Sequence, residues 1–136
     1  MPVDGRDISV LVVGHEPSLR DTYALLFQFA GYIAQSVALE QLETAIRGTA
    51  FTVIVFDHTL SESQRKSAVQ TTHGLAPQTK TVALHSSAKD CGADLIMDSR
   101  EGPLEILTRV ATMMENVSRK PITYVSDRIR RGAAKR

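Results

Sequence analysis

A single carboxylate stands where a chain of this kind would do chemistry. Asp57 follows directly on an apolar, β-branched run, Phe51-Thr-Val-Ile-Val-Phe56. Charge beside a core is costly unless it is solvated or paired. The run therefore either ends at Asp57 and releases it to water, or delivers it to a site. In parallel α/β sheets, ligands and reacting groups gather just past the carboxyl ends of the strands, and Asp57 occupies such a position. Two other breaks fall at comparable places. Gly14-His15-Glu16 ends the aliphatic run 8–13, and Ser86 follows the run 79–85. With Thr59, two residues past Asp57, these breaks supply two carboxylates, an imidazole and two hydroxyls.

The elements that must position these groups alternate along the chain. Ile8 to Val13 reads as a strand buried on both faces. Pro17 suits the first turn of a helix. Leu19, Tyr23, Leu26, Phe27 and Ala30 then recur at helical spacing, and Gly31 stops the helix. Tyr32 to Val37 is a second strand. Leu42, Ala45 and Ile46 mark a second helix ending near Gly48, and Phe51 to Phe56 is a third strand. Ser61 and Gln64 form a capping box for a weakly amphipathic third helix that runs to about His73. Thr79 to His85 and Ala93 to Met97 read as the fourth and fifth strands. Gly102-Pro103 opens a last helix, through about Val117. This alternation predicts an α/β fold with a doubly wound parallel sheet.

Two features depart from the routine version of that fold. Ser86 to Ala93 is shorter than the dozen or more residues a parallel crossover usually takes. The helix between strands four and five is therefore expected to be shortened or missing. The last helix carries two apolar stripes, Leu104/Leu107/Ala111/Met114 and Ile106/Val110/Met113/Val117, where a surface helix needs one. The extra stripe is expected to meet the chain's tail, a second copy in a homodimer through helix 104–117, or the space the missing helix leaves.

The chain's 136 residues suffice for one domain with one core. A composition 43% hydrophobic and 23% charged excludes a disordered chain, and no apolar run reaches the length of a membrane span. Met1 to Ile8 does not read as a secretory leader, and a lone Cys91 makes no internal disulfide; together these suggest a cytoplasmic protein. Charge is unevenly spread: residues 1–118 carry a net −5 and residues 119–136 a net +6. The expectation is a domain over 7–118 and a basic tail over 119–136. Ile122, Val125 and Ile129 fit one face of a short helix in that tail. The tail could bind nucleic acid, another acidic partner or a membrane surface, but the chain has no helix-turn-helix and no aromatic platform for bases.

Over residues 7–118 the chain resembles the receiver domain of bacterial response regulators. Val10 to Arg20 is similar to that family's opening strand and acidic turn. Val53 to Leu60 is similar to its phosphoacceptor strand, and Gly92-Ala-Asp94 to the entry of its fifth strand. The resemblance implies a flavodoxin-like sheet of strand order 2-1-3-4-5. It also implies a role in a two-component phosphorelay system, with a sensor histidine kinase or another signalling protein as partner. In the family, an Asp at the position of Asp57 accepts a phosphoryl group and an acidic pair after the first strand holds Mg²⁺. A Ser/Thr after the fourth strand and a Lys after the fifth contact the phosphoryl oxygens. Phosphoryl transfer rests on positioning and charge neutralisation.

By that resemblance Asp57 is the phosphoacceptor candidate, Ser86 the hydroxyl, and Thr59 a source of a backbone carbonyl. The acidic pair, however, falls on Gly14 and His15, with Glu16 one position beyond. The Lys falls on Ser99, followed by Arg100, a substitute cation by type. The family's aromatic switch falls on Ile96. The Mg²⁺ site has thus lost its carboxylates, and imidazole suits transition metals better than Mg²⁺. The expectation is a pseudo-receiver: not an enzyme, needing no cofactor, and acting by protein contact. Its pocket would comprise Gly14, His15, Glu16, Asp57, Thr59, Ser86 and Ser99. Three arrangements of that pocket fit the sequence. A protonated His15 pairs with Asp57; His15, Glu16 and Asp57 hold a transition metal such as Zn²⁺; or Asp57 is simply hydrogen-bonded. The alternatives to a pseudo-receiver are a phosphorylatable receiver with a non-standard metal site, and a scaffold that binds through its tail.

Overall fold

The aliphatic run that opens the chain forms β1 (Ser9–Val13), and its last four residues are buried. The run before Asp57 forms β3 (Val53–Phe56), buried throughout. Strands buried on both faces belong at the centre of a parallel sheet. The computed structural model, which describes residues 8–85 and 91–115, places them there. Five parallel strands run in the order β2-β1-β3-β4-β5, with β2 at Ile33–Val37, β4 at Lys80–His85 and β5 at Leu95–Asp98. Val13 lies opposite Phe56. β1 and β3 therefore end level, and the loops that follow them open side by side.

The chain divides into two compact units at Pro103. In the first, α1 (Pro17–Phe29) packs along β1 and β2. Pro17 takes its first turn, and Gly31, at φ 101°, follows its end. A short 3₁₀ turn, Leu39–Gln41, leads into α2 (Leu42–Gly48), and α3 (Glu62–Leu75) begins at the capping box of Ser61 and Gln64. Leu11, Ile54 and Phe56 from the sheet cluster with Leu42 of α2 and with Ala68 and Val69 of α3. The buried face of α3 also includes Arg65 and Thr72. Two polar residues on the inward stripe explain why that helix looks only weakly amphipathic in sequence.

The fifth strand begins at Leu95, two residues later than its sequence suggests. The cause is Asp94. Its Oδ2 accepts the Thr81 N–H at 2.8 Å and the Thr81 hydroxyl at 3.0 Å, and its own N–H donates to Thr81 Oγ1 at 3.0 Å. Asp94 thus ties the connection to β4 through side chains before the strand ladder starts. Residues 86–94 separate β4 from β5, too few for a usual crossover helix. The described part, 91–94, is not helical, and it carries the buried Cys91.

In the second unit, residues 104–115 are helical. Ile106, Val110 and Met114 are buried at successive i, i+4 positions, one stripe of a 3.6-residue period. Leu107 and Met113 are half-buried, and Leu104 and Ala111 are exposed. The helix therefore buries one stripe where two are apolar. Val117 and the basic segment 119–136 lie outside the described residues. No described helix is long and apolar enough to cross a membrane.

Candidate functional site

The level ends of β1 and β3 bring Gly14 and Asp57 together. The Asp57 N–H donates to Val13 O at 3.0 Å, extending the ladder one residue past β3. Its side chain then turns inward and is fully buried. A Cβ on Gly14 would lie 2.0 Å from Asp57 Oδ2 and 2.5 Å from Cγ. Carbon and oxygen cannot approach so closely without a bond, so only glycine fits there in this arrangement. Asp57 itself fills the space where position 14 would carry a side chain.

Thr59 holds the carboxylate in that niche. Asp57 Oδ1 accepts the Thr59 N–H at 2.9 Å and the Thr59 hydroxyl as well. The same Thr59 Oγ1 accepts the backbone N–H of His15 at 2.8 Å. One hydroxyl thus joins the loop after β1 to the loop after β3. Asp57 Oδ2 has no hydrogen-bond partner among the described residues.

The His15 ring bonds to Gln64, not to Asp57. Its Nε2 lies 2.9 Å from Gln64 Oε1, which also accepts the Ser61 N–H at 2.9 Å. An amide oxygen only accepts, so Nε2 carries the proton. Glu16 is occupied too. It is the N-cap of α1, with Oε1 accepting the Ser18 N–H at 2.9 Å and the Ser18 hydroxyl at 2.6 Å. The Ser18 hydroxyl, then the Ser18 N–H, hold the Glu16 carboxyl below its ordinary 4.5, with smaller help from the Leu19 N–H and the Arg20 charge against a little desolvation. Folded Glu16 is thus the stronger acid. Its stabilising contribution is fully present above the unfolded value and is lost as pH falls through the lowered folded value. Glu16→Gln should therefore flatten the acid limb of stability, read as melting temperature from about pH 6 to about pH 3.

His15, Glu16 and Asp57 are accordingly not brought together as a metal site. Among the described residues no group of three His, Cys, Asp or Glu could hold a metal ion. The donor set does not fit Mg²⁺, which asks for several hard oxygens around an open position. Here one buried carboxylate stands against a glycine, and Glu16, the acid nearest that glycine in sequence, caps a helix.

Two arginines that sequence reasoning passed over serve the same loops. Arg65, only 2% exposed, donates from Nη1 to Leu60 O at 2.7 Å. Arg20 donates from Nη1 to Gly14 O at 3.1 Å. Each clamps one loop beside Asp57, and each leaves a buried Nε without a partner among the described residues. Burial pushes the Arg65 pKa down, while Cys91, Glu62 and Asp57 hold it up. Burial, then the Asp57 charge, raises the Tyr23 phenol. The sequence did carry a signal for Arg65: it lies three, four and seven residues before Ala68, Val69 and Thr72, in register with the buried face of α3.

Arg100 is engaged by Asp98, with Nη2 to Oδ2 at 2.6 Å and Nε to Oδ1 at 3.0 Å. The hydrogen bond first, then the charge of Asp98, raises its pKa. Ser99 opens a 3₁₀ turn, Ser99–Glu101. Ser86 lies outside the described residues.

No protein-family profile matches the chain, and no curated protein sequence matches it. Its likeness is to solved structures. A two-component response regulator from Clostridium difficile superposes with a TM-score of 0.71 at 10% identity, covering 81% of this chain and 98% of that one. The response regulator protein TrrA from Thermotoga maritima, solved with Mg²⁺-BeF, gives 0.68 at 15% identity, covering 77% and 97%. The chemotaxis response regulator CheY4 of Vibrio cholerae gives 0.65 at 20% identity, covering 76% and 98%. Sheet order, connections and these superpositions agree that the chain has the fold of response-regulator receiver domains.

Proposed function

We propose that this chain is a receiver-fold signalling module of a two-component system that acts through protein contact, without Mg²⁺-dependent phosphoryl transfer at Asp57. The observation that carries this reading is the seat of Asp57. Its carboxylate is buried in the space that a side chain at position 14 would take, where the receiver resemblance calls for an acid. Phosphoryl transfer to a carboxylate needs an exposed nucleophile and a cation to neutralise the incoming group. Asp57 is not exposed, and the residues after β1 do not make a Mg²⁺ site. The receiver fold supports a signalling partner, a sensor histidine kinase or another signalling protein, as the other half of the contact.

The test is incubation with a small acyl phosphate and Mg²⁺, then Mn²⁺, read by intact mass against Asp57→Ala. The expected result is no phosphoryl adduct under either metal. An alkali-labile adduct present in the wild type and missing in Asp57→Ala would overturn the proposal.

A further inference from the structure

Asp57 is buried but not deeply enclosed in sequence terms: it sits at a strand end, one residue before the exposed His58. Carboxylates at such places usually reach water. This one is withdrawn, and hydrogen bonds at one oxygen hold it. Asp57 Oδ1 takes both bonds from Thr59, while Oδ2 takes none among the described residues. The Thr59 backbone N–H would reach Oδ1 with any residue at 59. The hydroxyl bond is specific to Thr or Ser, and only the hydroxyl also binds the neighbouring loop, through the His15 N–H. Gly14 supplies the other half of the arrangement by leaving the niche open.

We infer that Thr59 is a positioning residue for Asp57. Its hydroxyl latches the carboxylate into the Gly14 niche and so keeps the β3 carboxylate away from solvent and from any phosphodonor. The latch couples two loops, because the oxygen that donates to Asp57 also accepts from the backbone of His15. The His15 ring in turn is fixed by Gln64 at the start of α3. A shift of the 14–16 loop, where His15 is exposed, would withdraw the His15 N–H, free the hydroxyl to rotate, and release Asp57. The inference deepens the reading of Asp57 as a closed acceptor and rests on it. The route from a surface loop to a buried carboxylate is short: Gln64, His15, Thr59, Asp57.

The test reads accessibility, not phosphorylation, so the two proposals fail separately. The folded protein is treated with a water-soluble carbodiimide and glycinamide, and the labelling rate at Asp57 is followed by peptide mass spectrometry. The exposed Glu40 serves as the internal reference. Thr59→Val keeps the shape and removes the hydroxyl; Thr59→Ser keeps the hydroxyl. The expected result is Asp57 labelling in Thr59→Val faster by roughly tenfold, the worth of one good hydrogen bond, with Thr59→Ser at the wild-type rate. A Thr59→Val rate equal to wild type would overturn the inference. So would an equal rise in Thr59→Ser, since the hydroxyl would then not be what holds the carboxylate. Should Thr59→Val fail to fold, Gly14→Ala carries the test from the other side. Its methyl group must expel the carboxylate, so labelling rises if the niche is what hides Asp57 and stays at the wild-type rate if it is not.

Discussion

Gly14→Ala should destabilise the protein by about 1–3 kcal/mol, the usual range for forcing an extra carbon into a packed site. The same change made in an Asp57→Ala background should cost about 0.5 kcal/mol or less, because the clash partner is gone. The reasoning is steric. The added Cβ would meet Oδ2 at 2.0 Å, Cγ at 2.5 Å and Oδ1 at 2.6 Å. Asp57 cannot simply slide away, because its backbone N–H is fixed to Val13 O and its Oδ1 to Thr59. Relief requires turning the side chain out of the niche and giving up the Thr59 bonds. Chemical denaturation of the four proteins in the cycle measures the coupling directly. Equal penalties in both backgrounds would show that the Gly14–Asp57 approach is not the reason position 14 is glycine.

Arg65→Ala should cost about 2–4 kcal/mol, combining the loss of a large buried side chain with an uncapped carbonyl at Leu60. Arg65→Met should cost distinctly less. It keeps most of the volume and removes a charge whose burial is itself unfavourable, since replacing buried ions with apolar groups of similar size is often tolerated. The ordering matters more than either value. If Arg65→Met is as damaging as Arg65→Ala, the guanidinium acts chiefly as the clamp on Leu60 O at 2.7 Å and as a positive charge felt by Asp57. If the two separate as expected, packing dominates. Thermal and denaturant unfolding of both variants decides between these readings.

The fold was legible because its signals are local and strong. Two runs of almost wholly apolar residues, ending in Val10–Val13 and Val53–Phe56, read as strands buried on both faces, and they became β1 and β3, which lie side by side inside the sheet. Pro17, Gly31 and the Ser61–Gln64 box mark helix ends by backbone rules that tertiary contacts seldom override. The short interval between β4 and β5 was visible as arithmetic on chain length. The site was legible only as a location. Asp57 and Thr59 were singled out by type and spacing, but their relation to Gly14 was read as a missing acid. The structure shows a filled space instead, and that depends on which way a short side chain turns at a strand end. His15 and Glu16 looked like partners for Asp57 because they are near it in the topology. Each has another hydrogen-bonding partner: the His15 ring meets Gln64 at the start of α3, and Glu16 meets Ser18 two residues on, a local bond of low entropic cost. Arg65 was passed over because arginine is usually a surface residue. Only its register with Ala68 and Val69 betrays it.

The single thiol of this chain, Cys91, is 6% exposed and sits within the connection between β4 and β5. It makes the protein its own unfolding clock. A thiol reagent can reach Cys91 only when the region around it opens, so the modification rate reports the free energy of that opening. With one cysteine in the sequence, no engineering or site assignment is needed. Comparing that rate with global unfolding would show whether the β4–β5 side of the sheet opens on its own or only with the whole fold.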